Sequence, residues 1–196
     1  LYIDSMKHKK LFVTLGATFA LFLAIVTAAS FYLVDYALVS VQRARDSDMS
    51  KIEKRFPEVK PWLDSLQGAG ALRDTFVVMP QTGKRAHTLY VRSPHAEGRT
   101  AVLVHGYGDN ATSMLPIARI YNREMNANVL LPDLYAHGQS DGEVIQMGWK
   151  DRIDVLHWIS LAPEMFGTTA DSLRLVVHGI SMGAATTMCV SGEQTP

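Results

Sequence analysis

From Leu11 to Val34 the chain runs for 24 residues without a charged side chain. As a helix this run is about 36 Å long at 1.5 Å per residue, enough to cross a hydrocarbon core of about 30 Å. A buried core helix is one alternative, but such helices seldom lack a polar face over this length. A cleaved signal peptide is the other, and its apolar region is usually only about 7–15 residues. Small residues stand at Ala28-Ala29-Ser30, yet Phe31, Tyr32, Leu33 and Val34 continue the apolar run beyond them. Residues 11–34 are therefore read as a single transmembrane signal anchor. Residues 1–10, with Lys7, Lys9 and Lys10, are read as a cytoplasmic tail in which Met6 can serve as the true start. Arg43, Arg45, Lys51 and Lys54 follow the run at a distance, so the positive-inside count is nearly balanced. The nearer lysine cluster favours an inside N-terminus, which puts the rest of the chain on the outer side of the cell membrane.

Residues 35–71 are polar and helix-prone, with Pro57 and Pro61 as interruptions, and read as a membrane-proximal stalk with short helices. The character changes at Leu72. Phe76 to Met79 and His87 to Val91 are strand-like, and Pro80-Gln81-Thr82-Gly83 between them has turn chemistry, so a hairpin is predicted. Short apolar strands follow at 101–104, 128–131 and 173–177, alternating with helical stretches at 112–125, 149–159 and 182–190. Nearly all-apolar strands separated by helices predict an α/β fold, its parallel sheet covered on both faces.

Nineteen basic residues balance nineteen acidic ones, so no bulk field draws nucleic acid, and no basic stripe is interleaved with aromatics. Cys189 stands alone, which excludes an intrachain disulfide, and no Cys/His spacing suits zinc.

Chemistry concentrates at Gly179-Ile180-Ser181-Met182-Gly183. G-x-S-x-G alone recurs by chance in about one chain in twenty of this length; its position is what counts. It falls between an apolar strand and a helix rich in Ala and Thr, the setting in which a serine is forced onto a tight strand-to-helix turn. Free N–H groups at the start of that helix would face charge developing beside Ser181. The alternative is a glycine-bounded turn with an incidental serine. His105-Gly106-Tyr107-Gly108-Asp109-Asn110 likewise follows a strand and precedes a helix. Such a loop can aim the Tyr107 N–H at an oxyanion, with the Met182 N–H as second donor. In the third segment, Asp133 to Gly142, Asp133 and Asp141 are expected to fix a tight loop through backbone hydrogen bonds rather than act as catalytic acids.

HGYGDN, DLYAHGQSDG, MGWKDR and GISMGA, in this order, resemble the α/β-hydrolase superfamily. More narrowly, the chain is similar to membrane-anchored bacterial hydrolases of the serine aminopeptidase/acylglycerol-lipase-like branch. The resemblance covers residues 72–196, taken as the hydrolase domain, and the anchor and stalk suit the same subgroup. It implies Ser181 as nucleophile, Tyr107 and Met182 as oxyanion donors, and a small-molecule or lipid-like ester or amide as substrate. No metal or organic cofactor is implied, because a catalytic triad needs none.

One departure stands out. In that superfamily the acid and histidine of the triad come after the nucleophile, and here only Ser191 to Pro196 follow its helix. Both partners are therefore expected to be absent, and the chain to be a C-terminally truncated domain, inactive and poorly stable alone, with an open apolar edge at 173–177. Among upstream histidines, His105 belongs to the oxyanion loop, His178 to a strand end, His157 to a helix, and His87 and His95 to the hairpin region. His137 is the one loop candidate for a substitute base. A non-catalytic, membrane-tethered binding protein of the same fold is the competing reading.

Overall fold

The computed structural model describes residues 2–39 and 49–193, with side chains from His8 onward. Residues 40–48 of the expected stalk, with Arg43 and Arg45, and residues 194–196 lie outside the described residues, as does the side chain of Lys7. The chain forms two compact units that divide after Val39.

The first unit is helix α1, Tyr2–Leu38. It begins before the uncharged run and is long and apolar enough to cross a membrane from His8 to Leu38. Its apolar side chains are exposed all round, Phe12, Phe22 and Phe31 among them. Three hydroxyls in the run bond back into the helix: Thr14 donates to the Lys10 carbonyl at 2.9 Å, Thr18 to Thr14 at 2.6 Å and Ser30 to Val26 at 2.8 Å. A helix that satisfies its own polar groups suits a medium without water.

The second unit is built on a five-stranded sheet with β1 at Leu72–Val78, β2 at Arg85–Val91, β3 at Arg99–Val104, β4 at Asn128–Pro132 and β5 at Arg174–Gly179. Their spatial order is β1-β2-β4-β3-β5. β1 and β2 form the expected hairpin, with Leu72 opposite Val91 and Val78 opposite Arg85. Gly83, at φ 65°, turns the chain between them. β2 then pairs antiparallel with β4, Thr88 facing Pro132, so the sheet is mixed and only β4, β3 and β5 are parallel.

Burial explains the unbroken apolar runs. Successive strand residues point to opposite faces, and both faces are covered. Ala101 and Leu103 of β3 and Val129 and Leu131 of β4 enter one core; Val102, Val104 and Leu130 enter the other. The second core is closed by helix α5, Asp151–Phe166, through Val155, Trp158 and Ile159, and by α6, Met182–Ser191, through Met182 and Val190.

The first core holds a departure from the sequence reading. The short helices expected in the stalk are present, α2 at Met49–Arg55 and α3 at Val59–Gly68, but α3 is part of this core and not a spacer. Val59, Trp62, Leu63 and Leu66 are buried against Leu103, Leu115 and Val129. Trp62 also donates its indole N–H to the Asn122 side chain at 3.0 Å. The polar composition of 35–71 concealed a narrow apolar stripe whose i, i+3, i+4, i+7 spacing packs α3 on the sheet. The stretch expected as one helix at 112–125 is likewise composite: a 3-10 turn at Ala111–Met114, helix α4 at Leu115–Arg119, and a π-turn at Ile120–Glu124.

β5 pairs with β3 alone among the described residues, and Val176 is 47% exposed. An apolar groove of about 320 Å³, lined by Ala101, Tyr121, Met125, Leu175 and Val176, runs beside this edge.

If α3 belongs to the core, Trp62→Ala destabilises this unit by about 3–5 kcal/mol, measured by urea unfolding. A spacer helix would tolerate the change with almost no shift.

Candidate active site

β5 ends at Gly179 and α6 begins at Met182, leaving two residues to reverse the chain. The turn is pinned at its start by Ile180, whose N–H donates to the Val104 carbonyl at 3.1 Å. Ser181 follows at φ 53°, ψ −118°, a left-handed conformation that costs a side-chain-bearing residue on the order of 1–3 kcal/mol. Its carbonyl accepts from Ala184 at 2.9 Å and from Ala185 at 3.2 Å, locking the serine onto the first turn of α6.

The two glycines have a measurable reason. A Cβ on Gly179 would overlap the Gly183 carbonyl, and a Cβ on Gly183 would overlap Val104 O and lie 2.5 Å from His105 O. The start of α6 thus rests directly on the end of β3, and no side chain fits between them. Ser181 is exposed, and its hydroxyl has no hydrogen-bond partner among the described residues. The N–H of Met182, as first residue of α6, belongs to the set that a helix leaves without an intrahelical acceptor.

The loop after β3 meets this elbow. A Cβ on Gly106 would lie 3.3 Å from Ile180 O and 3.4 Å from Ser181 Cβ, so the loop runs close beside the elbow. Tyr107 follows, half exposed, and Gly108 turns the chain at φ 71°. Asn110 then caps the 3-10 turn, its side-chain oxygen accepting from the Thr112 N–H at 3.0 Å. Ser181, Met182 and the Gly106–Tyr107 peptide are therefore gathered at one end of the parallel strands.

Two fully buried histidines lie beneath the loop. His105 Nδ1 is 2.8 Å from the Gly106 carbonyl, and its Nε2 receives the Leu134 N–H at 3.0 Å. His137 repeats the pattern, with Nδ1 2.9 Å from Tyr135 O and Nε2 receiving the Gly108 N–H at 3.3 Å. A carbonyl only accepts and an amide N–H only donates, so both rings are neutral with the proton on Nδ1. Burial keeps them so: it pushes His105 down to about 4, helped by the adjacent His137, and lowers His137 as well. With both ring nitrogens used by backbone, His137 has no lone pair for Ser181, which removes it as a substitute base.

Asp133 works on the same loops. Its Oδ1 accepts from the Ala111 N–H at 2.6 Å, and its Oδ2 from Gln139 N–H at 2.9 Å and from His87 Nδ1 at 2.7 Å. A Cβ on Gly138 would collide with this carboxylate, which accounts for the glycine there. Asp141 bonds the Arg85 backbone and guanidinium, and that hydrogen bond holds its carboxyl below the usual range. In the MGWKDR segment, Asp151 accepts from the Gly148 N–H at 2.7 Å, and Gly148 packs against Met182 O and Thr186. Burial raises the Asp151 carboxyl to about 6; burial and the Asp151 charge together raise Asp154 to about 6.

The other histidines of the second unit are also placed. His87 is buried against Asp133, His178 faces the Tyr121 hydroxyl at 3.1 Å, His157 is half-buried on α5 and His95 is exposed. Among the described residues none bonds Ser181. Sequence reasoning missed the His87–Asp133 pair and the His105–His137 pair, whose members are 46 and 32 residues apart in the chain.

Among solved structures, the chain is similar to the esterase Pf2001 of Pyrococcus furiosus, at 23% identity and TM-score 0.54 over 63% of this chain. It is also similar to the α/β hydrolase GrgF from Penicillium sp. sh18, at 15% identity and TM-score 0.54 over 63% of this chain. The chain has the α/β-hydrolase fold. No family model matches it. Among curated proteins it is 24% identical over 184 residues, 94% of its length, to the uncharacterized protein YqkD of Bacillus subtilis (strain 168). The chain spans 56% of that relative and 47% and 42% of the two α/β-hydrolase-fold structures.

The strain at the elbow can be measured without any activity. Ser181→Gly relieves a left-handed residue and Ser181→Ala does not, so the glycine variant is the more stable by about 1 kcal/mol after its unfolded-state entropy is counted. Urea unfolding of the pair checks this, and an alanine variant of equal or higher stability would refute it.

Proposed function

We propose that the chain is the nucleophile-bearing part of a membrane-anchored serine hydrolase acting on carboxylic esters or amides. One observation carries the reading: Ser181 is held at φ 53° between two glycines that admit no Cβ, with the Gly106–Tyr107 loop against it. A turn that needed only to join β5 to α6 would have no use for a strained, exposed serine.

In the proposed reaction, Ser181 Oγ attacks the substrate carbonyl carbon and its proton passes to a histidine base. The carbonyl oxygen becomes an oxyanion, held by the N–H groups of Tyr107 and Met182. Collapse of the tetrahedral intermediate breaks the acyl–oxygen or acyl–nitrogen bond, and the alcohol or amine leaves with that proton. Water, deprotonated by the same base, then cleaves the acyl-serine, releasing the acid and restoring Ser181. The base and its acid partner come from outside the described residues, as the family resemblance implies. Ile180 and Tyr107, apolar and partly exposed beside Ser181, suit a small or lipid-like acyl group. Helix α1 serves as the single-pass anchor, with the enzyme unit outside the cytoplasm.

A fluorophosphonate probe on the full-length protein tests the proposal. Labelling of the wild type that is lost in Ser181→Ala is the expected result. A folded wild-type protein that takes no label would sink it and favour the tethered binding protein.

A further inference from the structure

Tyr107, the residue whose N–H is assigned to the oxyanion, sits between two peptides that are each gripped by a buried imidazole. On one side, His105 Nδ1–H donates to the Gly106 carbonyl at 2.8 Å, the oxygen of the peptide that carries the Tyr107 N–H. Because C=O and N–H point oppositely across a trans peptide, fixing that carbonyl fixes the direction of the donor. On the other side, the N–H of Gly108, in the next peptide, donates to His137 Nε2 at 3.3 Å. The two rings lie 5.0 Å apart, and each also reaches into the other loop: His105 Nε2 holds Leu134 N–H, and His137 Nδ1–H holds Tyr135 O. The result is a crossed brace between the loop after β3 and the loop after β4.

We propose that His137 is a positioning residue: its neutral Nε2, by accepting the Gly108 N–H, holds Tyr107 where its own N–H faces the oxyanion. The inference rests on the serine hydrolase reading given above. His137 is not required to touch substrate. Gly108 turns at φ 71°, a conformation open to glycine but not favoured by its alternatives, so the hydrogen bond selects one arrangement of an otherwise permissive residue. Burial lowers the His137 pKa and so keeps the accepting lone pair available. The effect of losing the brace falls on the transition state, because the oxyanion exists only there. Turnover should fall while ground-state binding is retained.

The test compares His137→Phe, which keeps a planar ring but has no acceptor, with His137→Gln, whose side-chain oxygen reaches about as far as Nε2. Both are made in the full-length protein and assayed with p-nitrophenyl butyrate, and amide hydrogen exchange is followed at Gly108. His137→Phe should lower kcat on the order of ten- to a hundredfold, with KM within about twofold, and speed exchange at Gly108. His137→Gln should recover most of both. A phenylalanine variant with wild-type kcat and unchanged Gly108 protection overturns the proposal, as does a loss that glutamine fails to rescue. If His137→Phe does not fold, His137→Asn, too short to reach Gly108, takes its place. Should the wild type show no Ser181-dependent turnover, the hydrolase reading fails by itself, and Gly108 exchange in the same variants still decides whether the brace exists.

Discussion

The direct seating of α6 on the end of β3 is the constraint from which the rest of the site follows. Glycine at 183 lets the helix start lie against the carbonyls of Val104 and His105, glycine at 179 lets it lie against the end of β5, and a side chain at either position would push the helix away. Two residues then remain to turn the chain, and Ser181 is left in the left-handed region with its side chain outward. A strained residue persists only where its surroundings over-determine it. Here β5 is held by β3 along its length, Ile180 by Val104, and α6 by the packing of Met182 and Val190 in the second core. The strain is local, and the stability that sustains it comes largely from β3 and β4, the strands buried on both faces.

The same contact sets the position of the loop after β3, because that loop leaves the strand where α6 touches it. Its backbone groups find partners in buried side chains from the next loop. Asp133, His105 and His137 together accept from Ala111, Gln139, Leu134 and Gly108; of these, Ala111 and Leu134 are buried and Gly108 half-buried, with no sheet partner for their N–H groups. Leaving such a group unpaired costs about 1–3 kcal/mol. A network of this type specifies one conformation of two loops at once, which is what a site that must present a backbone N–H in a fixed direction requires. His105 and His137 are thereby fixed by backbone groups on both ring nitrogens, and their neutrality follows from those partners.

Much of the fold was legible because its signals are local and apolar. Strands β3, β4 and β5 are short runs of Val, Leu and Ala bounded by turn residues, and the glycines about Ser181 and after His105 stand where strand gives way to helix. The elbow could be read for the same reason. What escaped depends on distant partners. The apolar stripe of α3 is diluted by charged neighbours and two prolines, and its burial becomes evident only when Leu103 and Val129 are seen beneath it. β2 lies beside β4 although β3 follows it in the chain, a pairing that no local pattern encodes. His87 and Asp133 were each read in their own segment, whereas their bond joins the hairpin to the loop after β4. Periodicity also gave the stretch at 112–125 as one helix, when capping by Asn110 and the π-turn at Ile120–Glu124 break it into three.

The proposed chemistry turns on whether Ser181, Tyr107 and Met182 act on one substrate oxygen. The most direct measurement is a crystal structure of the full-length protein with a phosphonate bound covalently to Ser181. A phosphoryl oxygen is expected about 2.7–3.1 Å from the backbone nitrogens of both Tyr107 and Met182. An adduct on Ser181 whose oxygens face solvent, away from these two nitrogens, would contradict it.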